Sequence, residues 1–600
     1  MSILKTKALT ALALAGMLAL SACNGGTSSS SMSAGSSSKA DSSSGSPASG
    51  GTESAASGGG DAFQSDPNLN APGELPIVKS PVTLKIVYAT TNDMTQNYAA
   101  QYISEKTGIS FEWLVAPSDQ YKEKLNLMMA SGEKMDLIIP GNNASARITK
   151  VEEFKYASQG MLTPLNDYIK YSSKNVKELY DSDPAYYEAM TTPNGNIYSF
   201  QTIHTQARPG SYHGTASYKM WINKSWLDRL GLQMPTTTEE FYNVLKAFKE
   251  QDANGNGDPN DEIPLSTCTS GANVQIDGFL MNAFTYNDPN PNNTTPYFRV
   301  SDEGKIEASV MDPQYREGLK YLNRLYNEGL LYPDAFTQDR ATQTALNESS
   351  DVARIGALPA QHCGYLVASM TKSDRWMEYE ACTPLIGPEG VQLTPQPHSS
   401  ADVFPTGLIP SSSEHPETAF RLIDACYTDE LYLVISRGEK DVAWREAVDG
   451  ELGLNGKPAT FSALTTPETS PYFGNMNLPG FPTVSPTIMN TAQEQDPKAP
   501  NGAGHEMVLY RATEMMEPYK VPMKNVIPNF YYITEENEKI SSYKATINPY
   551  IQESIARFIT GDMNLDTDWD NYIGELNALG MQEYISVIQS GYDRWASTSK

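Results

Sequence analysis

The chain has 600 residues, which is too long for one ordinary core and indicates several core units or two large ones. It carries 44 Lys and Arg residues against 71 Asp and Glu, a net charge of −27, and so acidic a surface repels the phosphate backbone of nucleic acids. Hydrophobic residues at 39% and aromatic residues at 10% exclude a wholly disordered chain, because this composition can build a buried core.

The N-terminus has the pattern of a secretory signal. Two lysines precede the apolar run Ala8–Leu20, which is shorter than the ~20 residues needed to span a membrane. The run ends in Leu20–Cys23 (LSAC), which resembles a bacterial lipobox, the signal that directs diacylglycerol, with acyl chains such as palmitate, onto the cysteine. We therefore expect a signal peptide at 1–22 and a lipid on Cys23 that holds the protein on the extracellular face of the cell membrane. The alternative is an ordinary signal peptide with a chance cysteine.

The stretch after Cys23 is predicted to be a tether. Residues 23–75 are rich in Ser, Gly and Ala, and such a composition cannot bury enough apolar surface to fold alone. About 47 flexible residues reach roughly 40 Å, so the folded part could stand away from the membrane. We expect the folded protein to occupy residues 76–600.

The first folded segment alternates strands and helices. Strands are predicted at Val82–Tyr88, Ile109–Val115 and Met135–Ile139, with helices at Asn97–Lys106 and Tyr121–Ala130. This order predicts an α/β fold with a parallel, doubly wound sheet.

In such a sheet, ligands bind beyond the carboxyl ends of the strands. That rule selects Thr90–Asp93 after the first strand and Gly141–Asn143 after the third. Asn92 and Asn142 are therefore candidate ligand-binding residues, because amides bond well to hydroxyl groups.

A second block has the same character. It contains a strand at Tyr218–Asn223 and a helix that begins with Thr237 and Glu240 at capping-box spacing. Further helices are predicted at Asp312–Glu328, Glu414–Tyr427, Leu431–Ser436, Trp569–Leu579 and Gln582–Trp595. Residues 454–504 are rich in Pro, Asn and Gly and are predicted to form long loops.

The loop after the capped helix has the spacing of a calcium site. Oxygen-bearing side chains stand at positions 1, 3 and 5 with Gly257 at position 6, as in an EF-hand. Position 12 is Ile263, so the final carboxylate must come from Asp261 or Glu262. The predicted ligands of a structural Ca²⁺ are Asp252, Asn254, Asn256, the carbonyl of Asp258, and Asp261 or Glu262. The alternative is a polar turn that binds no metal.

Several phrases spread over the chain resemble one protein family. The family is the large extracellular solute-binding lipoproteins of bacterial ABC importers, the family 1 type of Gram-positive bacteria. The phrases are Trp221–Gly231, Pro235–Thr237, Phe248–Lys249, Asn254–Gly257, Asp261–Pro264, Tyr326–Leu331, Gly387–Gly390, His415–Glu417, Ile559–Gly561 and Asp566–Trp569.

The resemblance implies a two-lobe, periplasmic-binding-protein-like clamshell of doubly wound sheets with a hinge. Lobe 1 would comprise about 76–205 and 395–440 and lobe 2 about 212–390, with 441–600 unassigned between them. The implied function is capture of an oligosaccharide between the lobes, as a monomer, and delivery to an ABC permease in the membrane.

Sugar recognition needs aromatic faces and planar polar groups, which indicates the ligand-binding candidates. By analogy with maltose-binding-type lobes, the stretch containing His362 and Tyr365 would face the cleft. The full set of ligand-binding candidates is Asn92, Asn142, Tyr212, Trp221, His362, Tyr365, Trp376 and Trp444. For each aromatic residue the alternative is an ordinary packing role.

Catalytic signatures are missing from the sequence. It has no phosphate-binding G-x-x-x-x-G-K-[ST] loop and no G-x-S-x-G nucleophile elbow, and His505-Glu506 lacks the second histidine of a zinc motif. We therefore expect no enzyme. Two other hypotheses stay open: an exported, lipid-anchored glycoside hydrolase, since carboxylates are abundant, and a receptor for peptides or signal molecules. The four mature cysteines could pair or remain thiols.

Overall fold

The structure is a computed structural model. It describes residues 63–141, 143, 145–182, 184–201, 218–271, 273–290, 293–395, 405–464, 477–483, 491–492, 496–499 and 504–598. Residues 63–600 form one compact unit. The predicted signal peptide and the lipidation site Cys23 lie outside the described residues.

Strands and helices alternate along the described chain. The strands are β1 Val82–Ala89, β2 Ile109–Ala116, β3 Leu137–Ile139, β4 Ser199–Gln201, β5 Met220–Asn223, β6 Ile263–Leu265, β7 Phe298–Val300, β8 Ile306–Ala308, β9 Ile355–Pro359, β10 Tyr379–Cys382, β11 Pro405–Leu408, β12 Trp444–Glu446, β13 Phe461–Ala463 and β14 Thr491–Ala492. The helices are α1 Tyr98–Thr107, α2 Tyr121–Ser131, α3 Lys150–Ser158, α4 Asn166–Tyr171, α5 Asn175–Ser182, α6 Pro184–Met190, α7 Lys224–Leu230, α8 Thr238–Glu250, α9 Ile276–Leu280, α10 Pro313–Asn327, α11 Arg340–Asn347, α12 Pro416–Cys426, α13 Asp429–Arg437, α14 His505–Met516, α15 Thr534–Thr560, α16 Trp569–Ala578 and α17 Met581–Thr598.

The first lobe is built on a five-stranded sheet with the order β2-β1-β3-β11-β4. Strands β1, β2 and β3 are parallel, and β11 runs antiparallel to both β3 and β4. Side chains of β3 alternate between two cores: Leu137 and Ile139 pack on one face, and Ile138 packs on the other. A sheet that is buried on both faces in this way is doubly wound, as the alternating strands and helices predicted.

The second lobe is built on a four-stranded sheet with the order β10-β5-β9-β6. Strand β6 is parallel to β9, whereas β5 runs antiparallel to both β9 and β10. Helix α8 packs on this sheet through Phe241, Leu245 and Phe248, which lie on one helical face and are fully buried. The predicted capping box holds its start: Thr237 Oγ1 accepts from the Glu240 N–H at 3.1 Å, and Glu240 Oε2 accepts from the Thr237 N–H at 3.2 Å.

The C-terminal part of the chain divides between the lobes. Buried side chains of α14 to α17, including Ile547 and Tyr572, belong to the same core as the second lobe. Trp444 and Phe461 instead pack with Leu433 of α13, beside the first lobe. Residues 504–598 therefore extend lobe 2, and the small β12-β13-β14 sheet extends lobe 1.

The chain crosses between the lobes three times. It leaves β4 for β5, returns from β10 to β11, and leaves lobe 1 again between β14 and α14. Residues 202–217 and 396–404, which make the first two crossings, lie outside the described residues. The first two crossings join the sheet edges that hold the carboxyl ends of β1, β3, β6 and β9. These two edges consequently border the space between the lobes, which is where an open α/β sheet binds ligands.

The folded unit begins earlier than the sequence predicted. Phe63 stacks on Tyr171 with ring centroids 5.3 Å apart, and the Asp66 N–H donates to Glu417 at 2.8 Å. Leu69 is only 5% exposed. The prediction that the tether extends to residue 75 is therefore wrong for residues 63–75, because this polar-looking segment is held by contacts made far along the chain.

Candidate functional site

A pocket opens at the carboxyl end of β1 in the first lobe. Its volume is about 180 Å³, and it is lined by Tyr88, Ala89, Thr90, Asn92, Met94, Asn97, Ser118, Asn143, Asn477 and Pro479. The loops after β1, β2 and β3 each contribute to it because parallel strands bring their carboxyl ends to one edge. The rule that selected residues 90–93 and 141–143 thus led to this pocket.

The polar groups of the pocket are amides and hydroxyls. Four asparagines, one serine, one threonine and one tyrosine line it, and none of its lining residues is charged. Several of these groups are held in place: Thr90 Oγ1 accepts from the Asn92 N–H at 3.1 Å, and Asn97 Oδ1 caps α1 by accepting from the Ala100 N–H at 2.9 Å. Such a surface suits a neutral ligand that is rich in hydroxyl groups.

The predicted residues after β9 lie at the matching edge of the second lobe. His362 and Tyr365 are both partly exposed. His362 Nδ1 accepts from the Gly364 N–H at 2.8 Å, and the guanidinium carbon of Arg340 lies 3.9 Å from the centre of the Tyr365 ring. The ring of His505, at the start of α14, lies 5.5 Å from that of His362. These side chains form a polar and aromatic surface at the edge of lobe 2.

Three predicted tryptophans lie in the cores instead. Trp221 and Trp376 have 0% exposure, and Trp221 Nε1 donates to the Ala360 carbonyl at 3.0 Å. Trp444 is 6% exposed, and its Nε1 donates to the Gly438 carbonyl at 3.0 Å. Their rings present no face to a ligand in this structure, so the prediction that they line the site is wrong here. The packing alternative holds because a large ring gains most where it is fully buried.

Two other predicted residues, Asn142 and Tyr212, lie outside the described residues. Of the first-lobe candidates, only Asn92 is therefore found in the pocket. No sequence pattern used above had indicated the lining residues Tyr88, Asn97, Ser118, Asn477 and Pro479. For Tyr88 and Asn97 the signal was available, since both flank the strand end that the sheet rule selects. For Asn477 and Pro479 the sequence contained no such signal, because these residues come from a distant part of the chain.

One buried charge lies at the lobe 2 edge. Lys219 precedes β5, is 1% exposed, and its carbonyl accepts from the Ala360 N–H at 2.9 Å. Burial lowers the pKa of Lys219 to about 8, although the nearby Cys363 and Glu517 oppose that shift. Its ammonium group thus lies near Cys363, the residue that follows His362 in the chain.

The predicted calcium loop joins α8 to β6 at the opposite end of the second sheet. Asp252 accepts from the Gly255 and Gly257 N–H groups, both at 2.9 Å. Asn254 and Asn256 donate their side-chain amides to the two oxygens of Asp261 at 2.7 and 3.0 Å. These side chains are therefore held by hydrogen bonds within the loop, at the end of the sheet opposite the carboxyl ends of β6 and β9.

Glu262 makes the loop a suitable host for a cation. Its Oε1 accepts from the Asn254 N–H at 3.3 Å, whereas its Oε2 is buried and has no hydrogen-bond partner among the described residues. Burial raises the pKa of Glu262. A divalent cation would satisfy this orphaned oxygen, so the donor set fits calcium. The His, Cys, Asp and Glu side chains of the described residues do not by themselves form a metal-binding group of three, so the asparagines and carbonyls are essential to such a site.

Two further observations concern the chain's chemistry and placement. Cys268, Cys363, Cys382 and Cys426 are all buried free thiols. Within the described part of the chain, no helix is long and apolar enough to cross a membrane.

Known proteins resemble this chain in sequence. Residues 88–326 match the family model described as bacterial extracellular solute-binding protein. The fructooligosaccharide ABC transporter substrate-binding protein FusA of Streptococcus pneumoniae is 27% identical over 526 residues, which cover 86% of this chain and 90% of that protein. Lipoprotein LipO of Bacillus subtilis is 28% identical over 240 residues, which cover 40% of this chain and 42% of that protein.

Solved structures resemble it in fold. FusA in complex with kestose superposes with a TM-score of 0.66 at 26% identity, covering 86% of this chain and all of that one. A second FusA structure is described as an EF-hand mutant in complex with fructo-nystose. A solute-binding protein of Bifidobacterium longum infantis, at 20% identity and a TM-score of 0.69, shares the fold over 86% of this chain.

Sequence motifs, two-lobe architecture and relatives agree. Each lobe carries its own sheet, the chain crosses between them three times, and the family model spans most of the first segment of lobe 1 and much of lobe 2. The chain is therefore similar to bacterial extracellular solute-binding proteins, in sequence over residues 88–326 and in fold over 86% of its length.

Proposed function

We propose that this chain is the lipid-anchored, extracellular substrate-binding component of an ABC importer. It captures an oligosaccharide between its two lobes as a monomer and delivers it to a permease in the cell membrane. Lipid on Cys23 keeps the folded part near that permease. The name of the relative LipO supports the anchor, and the oligosaccharide ligands of FusA support the cargo.

The observation that carries this proposal is the neutral polar lining of the first-lobe pocket. Its asparagines, hydroxyls and one apolar ring complement a sugar, which has hydroxyl groups around an uncharged ring. A peptide receptor would need charged groups for the termini of its ligand. A glycoside hydrolase would need two carboxyl groups flanking the bond to be cleaved, and none of the lining residues of this pocket is acidic.

In this proposal, closure of the two lobes performs the capture. The lobe 1 pocket holds one end of the ligand through amides and hydroxyls, and the lobe 2 surface with His362 and Tyr365 covers it from the other side. At about 180 Å³ the pocket is smaller than the ~300–1,000 Å³ of typical drug-sized sites, so it accommodates one unit of a longer ligand. Closure excludes water from both walls, which strengthens every hydrogen bond between them.

We further propose that the loop 252–262 binds a structural calcium ion. Asp252, Asn254, Asn256, the Asp258 carbonyl, and Asp261 or Glu262 would supply the oxygens. The buried, unpartnered Oε2 of Glu262 supports this site, as does the EF-hand named for FusA. When bound, the ion neutralises the carboxylates of the loop and fixes the start of β6.

A ligand screen by thermal shift tests the function. Purified protein is heated with neutral fructo-, malto-, galacto- and manno-oligosaccharides of two to five units, with amino acids and short peptides as comparison. A true ligand at 100 times its dissociation constant should stabilise the protein by about 2.7 kcal/mol. Product analysis after long incubation should show the sugar unchanged. Cleavage would support the hydrolase, and stabilisation by peptides alone would overturn the sugar-binding proposal.

A further inference from the structure

The pocket of lobe 1 has one wall that comes from a distant part of the chain. This wall is a β-turn, Leu478–Phe481, which we call the wall turn. The Phe481 N–H donates to the Leu478 carbonyl at 3.1 Å, Pro479 occupies the second position, and Gly480 has a φ of +79° at the third. That conformation is a type II turn, which favours proline and glycine at these two positions.

The wall turn is firmly held by the core of lobe 1. Leu478 is 1% exposed and Phe481 is 2% exposed, and both pack with the residues of the sheet and of α12 and α13. The Leu478 N–H donates to the Ile435 carbonyl at 3.0 Å. Two buried anchors on either side of a proline leave little freedom to the residues between them.

The wall turn is also bound directly to the end of β1. The Tyr88 hydroxyl donates to the Pro479 carbonyl at 2.8 Å, and Asn97 Nδ2 donates to the Asn477 carbonyl at 2.9 Å. The same Pro479 carbonyl lies close to Gly141, after β3: a Cβ added there would stand 3.8 Å from it. The wall turn thus spans the ends of two neighbouring strands and closes one side of the pocket.

The ring of Pro479 is exposed and lines the pocket beside polar groups. A proline ring is a compact apolar surface, which suits the C–H face of a sugar, and the neighbouring asparagines suit its hydroxyls. The pocket volume suits one small unit, and the bonds from Tyr88 and Asn97 hold the wall turn in place at one side of it.

We propose that the wall turn is the specificity-determining end wall of the sugar site. It contacts the terminal unit of a neutral oligosaccharide through Pro479, and Tyr88 positions it by holding the Pro479 carbonyl. This inference rests on the proposed function. It adds that the sugar unit in the lobe 1 pocket is a terminal unit of the ligand and not an internal one.

The experiment compares Pro479→Ala and Tyr88→Phe with the wild type and with a matched control, Pro67→Ala. Pro67 is also an exposed proline at the second position of a β-turn, closed by the Leu69 N–H and the Asp66 carbonyl at 3.0 Å. Its carbonyl likewise accepts from a side chain, Lys79, at 2.8 Å. It lies near the start of β1, at the other end of the strand from the pocket.

Dissociation constants are measured by calorimetry for kestose and nystose, or, if the fructo-oligosaccharides do not bind, for the best ligand of the screen and its next longer homologue. We expect Pro479→Ala to weaken both ligands by the same factor, about five- to tenfold, equivalent to the loss of one contact of about 1 kcal/mol. Tyr88→Phe should weaken both by about two- to fivefold, and Pro67→Ala should leave both within twofold of the wild type. Melting temperatures recorded alongside identify any variant that does not fold.

Three results would contradict these expectations in different ways. Equal behaviour of Pro479→Ala and Pro67→Ala, with Tyr88→Phe also unchanged, would overturn the wall and leave the sugar-binding function standing. A loss confined to the longer ligand would show that the wall turn contacts an internal unit, and would overturn the end wall. If no neutral oligosaccharide binds the wild type, the proposed function is overturned, and the end wall with it.

Discussion

At the residue scale, the most unusual group is a buried carboxyl between the two lobes. Glu153 of α3 is 0% exposed, and its Oε2 accepts from the Tyr531 hydroxyl at 2.5 Å. Tyr531 lies just before α15, which belongs to the layer that extends lobe 2. The Nζ of Lys150 lies 4.4 Å from the centre of the Tyr531 ring and donates to the Asn529 carbonyl at 2.9 Å. This contact joins the lobes at a place other than the crossings of the chain.

The environment of Glu153 makes its ionisation costly. Burial raises its pKa to about 7, while the Tyr531 hydrogen bond and the charge of Lys150 oppose the shift. Tyr180, also buried, is another titratable side chain near this carboxyl. In the unfolded chain the same carboxyl ionises near pH 4.3.

The first prediction is that Glu153 makes the protein lose stability as the pH rises. Because its folded pKa exceeds the unfolded value, its contribution is fully present below about pH 4.3 and disappears as the pH passes about 7, a span worth roughly 4 kcal/mol. Glu153→Gln should flatten this part of the profile and leave the variant more stable than the wild type at pH 8. Urea unfolding of both proteins from pH 5 to pH 8 measures this dependence of the free energy of unfolding on pH.

The control for this measurement is Glu178→Gln, which changes an exposed carboxyl on the neighbouring α5. That variant should follow the wild-type profile. Parallel profiles for wild type and Glu153→Gln would show that the carboxyl is not the source of the slope.

At the element scale, the helix–loop–strand unit α8, 252–262 and β6 carries the second prediction. A cation bound only by the folded loop stabilises the protein, by about 2.7 kcal/mol at 100 times its dissociation constant. A chelator should therefore lower the melting temperature, and added Ca²⁺ should restore it. Asp252→Ala without chelator should melt at the same lowered temperature as the chelator-treated wild type. Neither chelator nor added Ca²⁺ should change the melting temperature of this variant.

Asp258→Ala is the matched control within the same loop. The predicted ligand at that position is the backbone carbonyl, and the side chain only accepts from Asn260, at 3.1 Å to both the N–H and Nδ2. It should retain its response to chelator. Sugar affinity should change much less than stability, since the loop lies at the opposite end of the lobe 2 sheet from the carboxyl ends of β6 and β9. If the desalted protein contains no calcium, and added Ca²⁺ does not change its melting temperature, the loop is only a turn.

At the scale of the whole molecule, the third prediction is a change of shape, which follows from the two-lobe architecture. If the ligand binds between the lobes, saturation should reduce the radius of gyration measured by small-angle scattering, because closure hides both walls of the cleft. The same protein with a sugar that gives no thermal shift is the control. A tight ligand that leaves the scattering curve unchanged would contradict closure about a hinge.

The fourth prediction concerns the anchor. Cys23→Ser removes the thiol that would carry the lipid, so it should leave an uncleaved precursor or release the protein from the membrane fraction. Metabolic labelling with a palmitate analogue, followed by fractionation, measures both. Cys426→Ser changes a buried cysteine and should keep the label. Labelling and membrane retention that persist in Cys23→Ser would refute the lipobox.

Local patterns in the sequence determined much of the scaffold. The strand at Val82, the helix that ends at Gly108 and the capping box of Thr237 and Glu240 occur where predicted, because each depends on neighbours a few residues away. The position of the pocket was also accessible, since parallel strands carry their carboxyl ends to one edge. The loop predicted to bind calcium was recognisable because its oxygen-bearing residues are close together in the chain.

Only the tertiary structure decided which side chains face the ligand space. Trp221 and Trp376 look like sugar-stacking rings in the sequence, yet burial in the lobe 2 core is what their large apolar surface favours. Pro479 joins Tyr88 across 391 positions of the chain, and Tyr531 joins Glu153 across 378, and no short-range pattern encodes such pairs. Contacts between distant segments depend on the packing of the complete core, so the wall of the pocket and the contact of Glu153 with Tyr531 became visible only in the folded molecule.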